Sequence, residues 1–381
     1  MAVASDVVRA EPHRATIPPK PARLASLDVF RGITIALMIL VNNPGSWSHI
    51  YPPLEHAPWN GWTPTDLVFP FFLFIVGVAM TFSFARRIQE GQSKVDLLRK
   101  VMLRGLGIFG VGFFMALSSR FDLSTVRIPG VLQRIGVVYM LAGTLYVLTS
   151  HRAQVVISAL LLAGYWVAMK LIPVPGYGPG VLEPDGNLAQ FVDYLVLHGH
   201  TWKPAWDPEG IMSTFPAIVT CLLGVFAGRL LRSEKSHTEK ALAMFLWGSA
   251  GIVAGVIVDI WFPINKNLWS SSYVLFMAGM ALWCLALCYW LVDMKGWKSW
   301  AWPFIVYGSN ALTVFFLSGM MARYLIRWHI GDVSAQTYIY EQWFASWAGP
   351  LNGSLFYAIT YILFWLAIMT VFYRKKWFIR L

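Results

Sequence analysis

Cysteine is close to absent: Cys221, Cys284 and Cys288 are the only three in 381 residues, and all lie within apolar runs. That excludes a disulfide-stapled secreted domain and a thiolate metal centre, since no pairing framework or ligand spacing is present. Charge is also scarce. Asp, Glu, Lys and Arg make up 13% of the chain against 57% hydrophobic residues, which excludes a water-soluble domain of ordinary composition. The first 24 residues lack the apolar core of a secretory signal. With Pro12, Pro18, Pro19 and Pro21 among small and charged residues, they read as a disordered cytoplasmic tail.

What remains is a series of long apolar runs. A helix needs about 20 mainly apolar residues to cross a bilayer, and ten such stretches begin near residues 26, 64, 96, 129, 153, 209, 239, 268, 300 and 351. The expected fold is all-α: a polytopic membrane bundle of about ten helices, one unit over residues 25–381. The net charge of +11 does not point to nucleic acid, because the basic residues fall in short clusters between spans rather than along one soluble face. Alternating the loops places 22 of the 30 Lys and Arg on one side, which by the positive-inside rule is cytoplasmic and carries both termini.

The opposite side then holds the loop around His56, the "SSRFDLSTVR" turn, a Gly- and Pro-rich segment from about Val174 to Pro208, and "WFPINKNLW". Polar groups near membrane depth are costly and default to functional candidates. Asp28 and Arg31, three apart in the first span, pair as neighbours on one face or offer Arg31 to an anionic ligand. Asp66 follows "TPT" as the acid that closes a capping box at the second span. His56 has no such structural duty, and histidine is the residue type suited to proton transfer near neutral pH. Arg134, beside Gln133 in the fourth span, has to face protein, water or a phosphate, whereas Arg104 has the alternative of snorkelling. Asp207 reads as the N-cap of the sixth span with Pro208 first in the helix, leaving Glu209 for a polar ligand. The "HGH" of His198 and His200 lacks further ligands, so no metal is expected. Trp47, Trp59, Trp62, Trp202 and Trp206 gather on the His56 side, as belt residues or, for some, as a surface for a sugar ring.

The stretches "RLASLDVFRG", "ILVNNPG", "HAPWNGWTPTDLVFPFFLFIVG", "RIPGVLQRIGVVY", "WDPEG" and "PINKNLWSSSYVL" together resemble the transmembrane heparan-α-glucosaminide N-acetyltransferase family, in particular shorter bacterial members without the extra luminal domain. The combination covers most of the chain from Arg23 onward and is far more specific than its "LDxxRG" start alone. The resemblance implies transfer of an acetyl group from cytosolic acetyl-coenzyme A to the amine of a glucosamine-type sugar across the inner (plasma) membrane. It implies that His56 is the active-site histidine, that Asn42 joins it, with Asn43 as the alternative, and that the chain is a homodimer. Trp59, Asn60, Asp66, Asp207 and Glu209 are the candidates for the acceptor site. Arg31, Arg104, Gln133 and Arg134 are those for the coenzyme, whose phosphates call for arginine. His56 acts as general base in direct transfer or as nucleophile through an acetyl-imidazole, the former needing no protected intermediate. O-acetylation of an envelope glycan keeps this chemistry with another acceptor. A sugar transporter or flippase is the rival from another class, against which no pair of broken spans is evident in matching halves.

Overall fold

A computed structural model describes residues 24–119, 121–203 and 206–379; the tail expected to be disordered lies almost wholly outside them. The chain is all-α. Its helices are α1 (Ala25–Asn42), α2 (Val68–Gln89), α3 (Lys94–Leu117), α4 (Val131–Leu148), α5 (His151–Leu171), the short α6 (Leu188–Leu197), α7 (Thr214–Arg232), α8 (His237–Asp259), α9 (Ser271–Cys288), α10 (Trp302–Ser309), α11 (Ala311–Arg327), α12 (Ala335–Tyr340), α13 (Ser346–Ala348) and α14 (Pro350–Arg374). One two-stranded ribbon, His329–Ile330 against Val333–Ser334, follows α11. Among the described residues nine helices are long and apolar enough to cross a membrane.

The tenth expected span is broken. α10 and α11 meet at 83°, at "YGSNAL", an apolar run interrupted only by small and polar residues. Gly308 is pressed against the α1 backbone at Asp28, where a Cβ would collide with the carbonyl. Asn310 then occupies the corner, donating from Nδ2 to the Trp377 carbonyl and accepting from the Ile379 N–H through Oδ1. The amide thereby ties the corner to the C-terminal segment and satisfies two of that segment's backbone groups.

Helix burial separates centre from rim. In the most apolar windows of α2 and α7, 67% is buried, against 17% in α8, so α2 and α7 form the middle and α8 presents most of its surface outward, as a lipid-facing helix does. The contact between α2 and α7 is close because Gly77 lies on the Cys221 carbonyl and Gly224 on that of Phe74, with no room for a Cβ at either. Small residues of this kind let backbones approach where lipid offers no hydrophobic drive between helices. At one end of this centre, Phe69, Trp269 and Tyr273 stack edge to face with ring centroids 5.0 and 5.3 Å apart. Trp269 and Tyr273 are fully buried, and their polar atoms are satisfied by Thr220 Oγ1 at 3.1 Å and the Asp66 carbonyl at 2.6 Å. That aromatic block is the floor on which the α1–α2 and α8–α9 loops rest.

Candidate active site

The loop between α1 and α2 turns back on itself through Asp66, in a 3₁₀ turn Pro64–Leu67 that leads into α2. One carboxylate oxygen accepts the Thr63 N–H at 3.1 Å, completing the expected back-bond of a capping box, and also the Ala57 N–H at 3.0 Å. The other accepts from His56 Nδ1 at 2.6 Å. Capping and the pairing with His56 are therefore one device: the same carboxylate that starts the helix holds the imidazole. Asp66 is 1% exposed while the His56 side chain is 49% exposed, so the pair is anchored inside and open outside. With Nδ1 donating to a carboxylate, neutral His56 carries its acceptor lone pair on Nε2.

A third group completes this centre. Lys266, from the loop between α8 and α9, places Nζ 2.9 Å from Nδ1 and 3.1 Å from Nε2 of His56, and 3.5 Å from Asp66. Burial pushes its ammonium below the ordinary lysine range, against the opposing charges of Asp66 and Glu209. Its loop is clamped to the His56 loop. The Gly61 N–H donates to Ile264 O at 2.7 Å, and the buried Asn265 donates to Asn60 Oδ1 at 3.1 Å while accepting the Leu268 N–H at 2.8 Å. Asn60 is thus tied to Asn265. Trp59 donates its indole N–H to the Leu182 carbonyl at 2.9 Å and meets Trp206 edge on at 5.5 Å.

Beside Lys266 lies the "WDPEG" turn. Asp207 does not cap a helix there, because α7 begins only at Thr214. Its carboxylate instead makes a local turn with the Glu209 N–H at 2.9 Å and takes both Arg127 Nη2 at 2.6 Å and Nε at 2.8 Å. Arg127 also binds Glu209. Burial opposes the Arg127 charge, but the two carboxylates raise its pKa above the usual value. Beneath them Asp193, on α6, accepts the Ile211 N–H at 2.7 Å. Burial pushes its carboxyl up to about 7, reinforced by Asp207. Arg134 is fully enclosed, bonded through Nη2 to the Gly210 carbonyl at 3.0 Å and to Ser213 Oγ, with its guanidinium 5.1 Å over Trp269. Its Nε and Nη1 have no partner among the described residues.

The remaining candidates divide between the two ends of the bundle. Gln133 and Arg134, expected with the coenzyme phosphates, sit at the start of α4 and so at the His56 end. Arg31 and Arg104 lie toward the other. Arg31 binds Asp28 at 3.3 Å and the Gly308 carbonyl at 3.2 Å, joining α1 to α10. Arg104 lies 5.3 Å over the Tyr139 ring and lines, with Phe84, Arg87, Leu97 and Lys100, a cavity of about 310 Å³. Asn42 ends α1 exposed and forms no side-chain hydrogen bond among the described residues; Asn43 is buried, donating to Ile39 O at 2.8 Å. Elsewhere, His200 binds the Val126 carbonyl and His198 packs edge on to Tyr194.

Lys266, Arg127 and Asn265 are not among the candidates that the sequence alone marks. The available signal is a lone lysine between Pro263 and Trp269 in a short loop, and an arginine directly before "IPG".

The fold and this centre define a polytopic helical membrane protein with a carboxylate-oriented histidine at the mouth of the bundle. Residues 23–257 match the family model described as heparan-alpha-glucosaminide N-acetyltransferase, catalytic, and the chain belongs to that family. It is 32% identical to the human heparan-alpha-glucosaminide N-acetyltransferase over 94% of its own length and 60% of the relative's, and 30% identical to the mouse protein over 97% and 63%. The chain therefore spans about three fifths of the length of these relatives.

Proposed function

We infer that the protein transfers an acetyl group from acetyl-coenzyme A to the amine of a glucosamine-type sugar, with His56 as general base. The observation that carries this reading is the 2.6 Å contact between His56 Nδ1 and the buried Asp66. With Nδ1 donating to that carboxylate the acceptor lone pair falls on Nε2, where the substrate amine takes the place of Lys266 Nζ, 3.1 Å away.

The sugar amine binds next to Nε2 as the neutral base, with Glu209, whose charge reaches Lys266, toward its hydroxyls and with Trp59 and Trp206 as apolar surface for the ring; Asp207, enclosed and bonded to Arg127, holds that turn in place. The donor enters from the opposite end. Asp66 and Arg87 lie on one continuous helical run, about 30 Å apart at 1.5 Å per residue, so a ligand touching both crosses most of the bilayer. The cavity with Arg87, Lys100 and Arg104 suits a polyphosphate; its Arg104 wall lies over Tyr139, eight residues or about 12 Å along α4 from the end near His56, a depth from which the thin arm of coenzyme A can carry the thioester to His56. The amine nitrogen attacks the thioester carbon, its proton passes to Nε2, and the departing thiolate recovers that proton. By this reading the His56 end faces away from the cytosol and both termini face it.

The test uses the full chain purified in detergent, following release of thiol from acetyl-coenzyme A with and without glucosamine. Wild type is expected to release thiol only with the sugar, and His56→Ala to lose this by at least about 10³-fold. Sugar-independent release near one equivalent per chain would replace direct transfer by an acetyl-imidazole. Sugar-dependent turnover surviving in His56→Ala refutes the assignment.

A further inference from the structure

Among the described residues Lys266 is the charged group that touches both ring nitrogens of His56. An ammonium there is an awkward neighbour for a histidine whose task is to become positively charged. The groups facing it are His56 and Asp66 from the first loop and Glu209 from the turn before α7. Its close anionic contact, Asp66 at 3.5 Å, is longer than a good charge-assisted hydrogen bond, and that carboxylate is already shared by His56, Thr63 and Ala57. The ammonium thus has donor capacity left over beside the imidazole.

An amine hydrogen-bonded to Nε2 lies about 3 Å from it, and the carbon that amine attacks lies one bond further. Nζ, 3.1 Å from the same nitrogen, is within about 6 Å of that amine, a gap that its flexible stem can close. Attack creates one positive charge on the imidazole and one negative charge on the carbonyl oxygen, so the new anion forms beside a cation whose nearest carboxylate, Asp66, is 3.5 Å away.

We propose that Lys266 is a catalytic residue that stabilises the oxyanion of the tetrahedral intermediate, a role resting on the acetyl transfer proposed for His56. The amine nitrogen forms the C–N bond, and the carbonyl π pair moves to oxygen, where the Lys266 ammonium pairs with it. The amine proton moves to His56 Nε2. The oxyanion pair then re-forms the carbonyl, the C–S bond breaks with its electrons on sulfur, and Nε2 returns the proton to give a free thiol. In this step Lys266 does not lose its proton and forms no covalent bond. Relocation of the ammonium from the ring to the oxygen also relieves its repulsion with the imidazolium at the moment that charge appears.

Two bisubstrate analogues joining the glucosamine nitrogen to the coenzyme sulfur distinguish this role from scaffolding. One is linked through a neutral –CO–CH2– bridge and one through an anionic –PO2⁻–CH2– bridge. Lys266→Met is expected to lower kcat by about 10²–10³ with KM for acetyl-coenzyme A within about threefold. It is expected to lose at least about 100-fold affinity for the anionic analogue while binding the neutral one within about threefold of wild type. Lys266→Arg, which keeps the charge, is expected to retain most of the anionic affinity, and Lys266→Gln serves as the uncharged variant should Met fail to fold. Equal losses for both analogues, or no loss for either, overturn the proposal. So does an acetyl group found on Lys266 by mass spectrometry. If Lys266→Met turns over normally while His56→Ala is inactive, only the Lys266 role fails; if both turn over, the transfer reading beneath it fails as well.

Discussion

Asp66→Asn keeps the shape of the side chain and removes its charge, and the hydrogen bonds along its two edges decide the outcome. The carboxylate serves His56 Nδ1 at 2.6 Å on one edge, and the Ala57 and Thr63 N–H groups at 3.0 and 3.1 Å on the other. An amide has an acceptor for only one of them. Turning its NH2 toward the backbone strands two donors, at about 1–3 kcal/mol each. Turning it toward His56 costs only a change of tautomer, so the imidazole proton moves to Nε2 and the base is lost. Inverting a carboxylate-held histidine in this way lowers turnover by about 10⁴ in serine hydrolases. At 1.36 kcal/mol per decade, an expected fall of about 10³–10⁴ corresponds to about 4–5.5 kcal/mol of transition-state stabilisation. Because the two backbone donors stay satisfied, the midpoint of thermal unfolding in detergent is expected to shift by only a few degrees. The assay is sugar-dependent thiol release under saturating donor, paired with that unfolding midpoint. Turnover within tenfold of wild type would refute the argument that the Asp66 contact sets the reactive tautomer.

Arg127→Gln leaves Asp207 and Glu209 unpaired in a partly buried turn, and is expected to cost about 3 kcal/mol of stability, read from denaturant unfolding, as well as raising KM for the sugar. Asp193 has its carboxyl raised by burial to about 7, so the folded state favours the protonated acid: its contribution is full below about pH 4 and is lost as pH rises toward 7, by an amount on the order of 4 kcal/mol. Asp193→Asn cannot ionise, so its stability relative to wild type is expected to improve steadily over that interval; a difference independent of pH contradicts this. Replacing Arg87 and Arg104 together by Ala is expected to raise KM for acetyl-coenzyme A at least about tenfold with kcat held, checked by initial rates at varied donor and by weakening of the effect at high salt.

The helices are legible in sequence because each apolar run is long and bounded by charge: the expected starts at residues 26, 64, 153, 239 and 351 fall within two residues of the helix starts at Ala25, Pro64, His151, His237 and Pro350. The break at Asn310 is not, since the groups that meet the corner, the Asp28 backbone and the chain near Trp377, are far away in sequence. The sixth span is expected about five residues early, because "DPEG" has the residues of a helix start but spends them on a turn held by Arg127. His56 and Asp66 are ten residues apart, and the capping role of Asp66 is plain from "TPTD"; that it also binds the imidazole comes from the loop folding back, which no periodicity records. Lys266 meets His56 across 210 positions. A lone lysine beside a membrane span looks the same in sequence whether it snorkels to water or turns inward to a reaction centre.

The central claim is that donor and acceptor meet from opposite sides of a bilayer at His56. The direct measurement reconstitutes the protein in sealed vesicles, with acetyl-coenzyme A confined to one side and glucosamine to the other. N-acetylglucosamine is predicted to appear only on the glucosamine side, through copies whose Arg104 end faces the donor, and not at all with His56→Ala. Product formed only when both substrates share one compartment would contradict the account.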